Sequence, residues 1–182
     1  MELTEIRDAV MERTGIVNPY TIDDAINAVQ TAYIQPIERQ FKTASHKVED
    51  STATLSDVAD DIYRIDRVVK GKEKVPLLNP NDQSDEYGVR QEGDTLHFQS
   101  IKKGSNLEFH YEKKLKRLGS GPDEVTVPEI DEGWHMLYWM GAVAMLDSEF
   151  FQVFEERLER YRQERVRLTR PRAMIAKTRP YV

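Results

Sequence analysis

The chain contains no cysteine. That excludes disulfides, thiolate nucleophiles and cysteine-ligated metals, and it leaves the compartment open. The opening Met-Glu-Leu-Thr-Glu has neither the basic start nor the apolar stretch of a secretory leader, so no leader is expected. No apolar run is long enough to cross a bilayer. The longest, Trp134 to Leu146, contains His135 and reads as a buried core helix. Apolar residues are sparse at 39%, against 32% charged. The 182 residues suffice for one domain with an inserted subdomain. A composition this polar suits a subunit with extended arms or neighbours on several sides. A net charge of −6 argues against a general nucleic-acid binder.

The charge is unevenly placed. From Arg165 to Val182 there are Arg165, Arg167, Arg170, Arg172, Lys177 and Arg179, with no Asp or Glu. A basic tail on an acidic body implies a specific docking role for the tail.

Helical periodicity opens and closes the chain. Leu3, Ile6 and Val10 predict a first helix, capped by Thr4 and stopped at Gly15. Ile22, Ala25, Ile26, Val29, Tyr33 and Ile37 trace a second, with Thr21 and Asp24 as its capping box and a kink at Pro36. Asp131 to Leu146 is apolar nearly all round and predicts a central helix. Within it, the small Gly141, Ala142 and Ala144 permit close approach of a neighbour. Asp147 or Ser148 caps a last helix carrying Phe151, Phe154, Leu158 and Tyr161, ended by Pro171.

Between these the pattern changes. Thr43 to Asp61 is polar and reads as a linker with room for a short helical turn. Ile62 to Val69 and Val75 to Leu78 read as strands, and Asn81 to Gly93 as a loop with a short helix. Leu96 and Phe98, then Leu107, Phe109 and Tyr111, alternate with polar residues about Lys102-Lys103-Gly104-Ser105. This predicts a β-hairpin with Phe98 opposite Phe109 and His97 opposite His110.

Chemical motifs are few. His97 and His110 with Glu108 and Glu112 could approach a metal, but a real site needs three or four ligands and a polar sheet face explains them as well. Gly119-Ser120-Gly121 lacks the Lys-Ser/Thr of a phosphate loop and reads as a flexible connection. Asp57, Asp60 and Asp61 lack calcium-loop spacing and read as a solvated turn. Trp134 and Trp139 read as core. We therefore expect no catalysis, no cofactor and no metal.

For the basic tail, nucleic-acid binding, a solvated end and docking on a protein are all open. The interleaved Leu168, Met174, Ile175 and Tyr181 favour a protein surface, since a tail that only reads phosphates needs no apolar anchors. The candidate partner-binding residues are Arg165, Arg167, Arg170, Arg172, Met174, Ile175, Lys177, Arg179 and Tyr181.

The expected class is α+β: a core of about four helices, an inserted antiparallel β-hairpin or sheet subdomain, and an extended C-terminal arm. Residues 1–42 would be N-terminal core helices, 43–61 linker, 62–122 β insertion, 123–170 C-terminal core helices and 171–182 basic arm. This layout resembles the adaptor, or head-completion, proteins of tailed-phage head-to-tail connectors. The resemblance rests on Ala25-Ile26-Asn27-Ala28, on Val127-Pro128-Glu129, and on the aromatic and small-residue run Trp134 to Leu146. It implies a virion neck protein assembled in the host cytoplasm as a dodecameric ring. Its partners would be the portal protein, neighbouring copies and the next neck or tail-completion protein, with DNA passing through the channel unread and no membrane involved. The arm would grip the portal. The alternative is a nucleic-acid-associated regulatory protein using the basic arm.

Overall fold

The computed structural model describes residues 1–80 and 86–169. The fold is α+β, and the chain divides into two compact units. Residues 1–38 and 117–169 form a helical unit, and residues 39–116 a β unit.

In the helical unit, α1 (Leu3–Thr14) is capped by Glu2, which exchanges side-chain bonds with Glu5, not by Thr4. Gly15 closes it at φ 70°, a left-handed conformation that glycine adopts without penalty. Asn18 accepts from the Tyr20 N–H to start α2 (Pro19–Val29), with Pro19 inside its first turn. The expected Thr21–Asp24 box is not the cap. The helix widens into one π-turn at Gln30–Ile34, whose closing bond runs from Gln35 N to Gln30 O. It therefore ends before Pro36 and is not kinked by it.

After the β unit come α4 (Met136–Leu146) and α5 (Phe151–Thr169), each preceded by a single 3-10 turn. α4 packs against α1, α2 and α5 and buries Leu137, Tyr138, Met140, Ala142 and Val143. Against it lie Leu3, Ile6 and Val10 of α1, Ile22, Ile26 and Val29 of α2, and Phe154, Leu158 and Tyr161 of α5. Gly141 marks the tightest crossing, although side chains and not backbone approach it. A Cβ there would lie 2.6 Å from Val29 and 2.9 Å from Phe154. Burying these side chains supplies about 1.5–3 kcal/mol each, which offsets the ordering cost of the helices.

The β unit holds two four-stranded sheets. Its strands are β1 (Phe41–Lys47), β2 (Thr52–Thr54), β3 (Ile62–Lys70), β4 (Glu73–Val75), β5 (Leu77–Leu78), β6 (Gly88–Glu92), β7 (Thr95–Gln99) and β8 (Asn106–Lys113). A single turn, α3 (Leu55–Val58), links β2 to β3. One sheet runs β1-β8-β3-β4 and the other β2-β7-β6-β5, with only β5–β6 parallel. Their inner faces share one core of Val48, Val68, Val89, Leu96, Phe98, Leu107 and Phe109, among others.

The expected linker therefore holds most of β1 and all of β2, and its short helical turn is α3. Residues 117–122 belong to the helical unit. β7 and β8 do not form a hairpin: β7 pairs with β6 and β2, whereas β8 pairs with β1 and β3. The hairpin instead joins β6 to β7, where Glu92 faces Thr95 across a two-residue turn led by Gly93 at φ 59°.

Candidate partner-binding surface

The basic segment is not uniform. Arg165 lies on the inward stripe of α5, in heptad spacing with Phe154, Leu158 and Tyr161. Its guanidinium reaches Glu38 Oε1 at 2.6 Å, while the Tyr161 hydroxyl donates to Glu38 Oε2 at 2.5 Å. Glu38 is only 5% exposed, so both of its oxygens are matched by donors. Burial, reinforced by the hydrogen bond and charge of Glu38, pushes the Tyr161 hydroxyl well above its ordinary pKa. The structure thus uses Arg165 inside the subunit. Arg167 is exposed on α5. Arg170, Arg172, Met174, Ile175, Lys177, Arg179 and Tyr181 lie outside the described residues.

Beyond Arg165 the inward stripe of α5 loses its cover. Leu168 continues the same spacing yet is 67% exposed, and Val166 beside it is also exposed. At the α1–α2 loop Val17 and Tyr20 project into solvent, the latter 80% exposed. The sequence signal for both is an apolar residue that the buried stripes do not need. Glu5, Asp8 and Glu12 form an exposed acidic row along α1.

The Asn27 within the Ala-Ile-Asn-Ala segment has a defined task. Its side-chain amide donates to Leu118 O at 2.9 Å and accepts from Leu118 N at 2.9 Å, fixing the start of the 117–135 connection on α2. Arg7 forks onto Asp23 through two bonds and ties α1 to α2; that contact raises the Arg7 pKa.

The other motifs resolve locally. His97 and His110 lie in different sheets and do not face each other. His97 Nε2 is 3.4 Å from Glu92, and His110 Nε2 is 2.7 Å from Glu108. Among the described residues no group of three or more metal-ligating side chains comes together. The Gly119–Gly121 loop is wrapped around the chain's own Glu124, whose carboxylate accepts from Gly121 N at 2.7 Å and lies 2.0 Å from where a Gly119 Cβ would stand. It forms a carboxylate cradle.

The aspartates are also engaged. The Thr54 backbone N–H and hydroxyl donate to Asp57 and hold it below the usual carboxylate range. Burial pushes Asp61 up, but bonds from Lys42 at 2.6 Å and the Tyr111 hydroxyl at 2.7 Å more than reverse this, and its pKa falls. Trp134 and Trp139 are half-buried. Trp134 packs on Tyr161, and Trp139 carries the Arg13 guanidinium 4.7 Å from its ring centre.

No protein-family model matches the sequence, and no curated protein is similar to it.

Proposed function

We propose that the protein is a structural subunit of a tailed-phage neck, an adaptor ring that joins the portal to the next neck or tail protein. The observation that carries this reading is the order of its elements. A helical pair is followed by a β unit, and an apolar helix and a long charged helix then complete the helical unit that the first pair began. Exposed Leu168 and Val166, at the start of a run rich in cations and free of carboxylates, support portal docking by the chain's end. Apolar anchors set in a charged surface are what a protein partner uses.

The decisive experiment is co-sedimentation with purified portal rings. The full chain should bind, and a chain ending at Thr169 should keep its circular dichroism spectrum but lose attachment. Binding that survives this truncation unchanged would reject the arm as the docking element. Salt-sensitive binding to duplex DNA with no binding to portal rings would replace this reading with a nucleic-acid-associated regulator.

A further inference from the structure

Among the sheet edges of the β unit, one stands apart. β2, β4 and β5 are three, three and two residues long. β3, which β4 covers only in part, is broken by register shifts at Tyr63 and Asp66. Short and bulged edges resist pairing with another chain. β1 has seven residues in unbroken register with β8, from Phe41 opposite Glu112 to Lys47 opposite Asn106. It contains no proline, and no described strand lies on its other side.

The register determines which backbone groups are open. Gln40 O accepts from Lys113 N at 2.6 Å, and Val48 N donates to Ser105 O at 2.9 Å. Bonded and non-bonded pairs alternate along an antiparallel ladder. Even-numbered residues from Gln40 to Val48 therefore bond to β8 and its extension. The N–H and C=O groups of Phe41, Thr43, Ser45 and Lys47 face outward.

We propose that β1 pairs antiparallel with β1 of a second copy, about a two-fold axis at Ala44, joining two four-stranded sheets into one. All the open positions then meet open positions. Phe41 faces Lys47 and Thr43 faces Ser45, and each such pair can exchange two backbone bonds. Phe41, 58% exposed in the single chain, gains the lysine stem and its charge as cover. Thr43 and Ser45 place hydroxyls side by side.

Charge complementarity selects both the occupant and the register. Two residues beyond the strand, Arg39, half exposed and 3.4 Å from Glu112 of its own chain, faces exposed Glu49 of the second copy, and the two-fold repeats the pair. Sliding by two residues in one direction sets Arg39 against Lys47. Sliding in the other sets it against Ser51. The contact is isologous, so it differs from the head-to-tail contacts that close a ring, and it does not depend on the neck assignment.

The test uses the full chain in sedimentation velocity over a range of concentrations, beside Ser45→Pro and Glu49→Arg. The Ser45 N–H faces away from β8, so proline there removes no bond from the subunit's own sheet. The expected result is a reversible dimer, weakened at least tenfold by Ser45→Pro and several-fold by Glu49→Arg. Because the chain has no cysteine, a register test is also clean. An equal mixture of Thr43→Cys and Ser45→Cys chains should form a disulfide-linked dimer on mild oxidation, and either variant alone far less. A chain that stays monomeric at its highest soluble concentration overturns the proposal. So does a dimer or larger assembly that gives no 43–45 cross-link, including the case in which Ser45→Pro fails to fold.

Discussion

The Tyr161 hydroxyl donates to Glu38 at 2.5 Å, and the opposite oxygen of the same carboxylate receives Arg165 at 2.6 Å. A buried carboxylate stripped of its cation is costly, whereas an exposed arginine contributes little. Arg165→Ala should therefore destabilise the helical unit by about 3–5 kcal/mol. Arg167→Ala should change it by less than about 0.5 kcal/mol. Urea unfolding of the two variants checks this, and equal effects would refute the division of the basic segment drawn above.

Asn27 holds both backbone groups of Leu118, so its two ends are not interchangeable. Asn27→Asp keeps the acceptor for Leu118 N and turns the donor facing Leu118 O into a second acceptor. A loss of about 1–3 kcal/mol is expected. Asn27→Ala, which removes both bonds, should lose a comparable amount, read by the same unfolding experiment.

Gly141→Ala places a methyl group on Val29 and Phe154 and should cost about 1–3 kcal/mol through overpacking. Val29→Ala alone should also destabilise, by leaving a cavity. The double variant should be more stable than the sum of the two predicts. Strict additivity in that double-mutant cycle would mean the crossing is looser than described.

Tyr111 gives the β unit an alkaline dependence. Burial, with help from the bond and charge of Asp61, pushes its hydroxyl up to about 12. The folded state then holds a proton that the unfolded state releases near pH 10. The resulting stability is complete below about pH 10 and is lost as pH rises through about 12. Asp61, held below the usual range, acts at the other end: its contribution is present above the ordinary aspartate pKa and lost as pH falls through the depressed one. Melting curves from pH 9 to 12 should show a shallower decline for Tyr111→Phe than for the parent chain.

The helices were legible because their apolar residues repeat at the helical period, whereas β3 was legible from its β-branched composition alone, since its two bulges space the buried Ile62, Ile65 and Val68 three apart. β1 was not, because it is an edge strand with one face in solvent. The residues it turns inward, Ala44 and His46, carry almost no hydrophobic signal; His46 packs between Phe98, on which it stacks, and the edge of Phe109. The misplaced hairpin has a different cause. Alternation in Leu96–Phe98 and Leu107–Tyr111 reports one buried face per strand, and that face is the same whether two strands pair edge to edge or lie in opposed sheets. The available signal was Glu92-Gly93-Asp94, a tight-turn sequence between Val89 and Leu96. Within the candidate surface, the cations and apolar anchors were readable. The use of Arg165 was not, because Glu38 lies far away in sequence and the two meet only once α5 is packed.

The β unit is entered along β1 and left along β8, and these strands are direct neighbours, pinned at their outer end by the Gln40–Lys113 bond. That arrangement bears on the order of folding. α2 and α4 must find each other across the whole of residues 39–116, a long loop whose closure is entropically unfavourable and slow. Once β1 and β8 zip together, the loop shrinks to the segments flanking the stem, residues 35–40 on one side and 114–135 on the other. A β unit that forms first thus acts as a splint for the helices. A variant that weakens the β1–β8 ladder should slow assembly of helices it never touches.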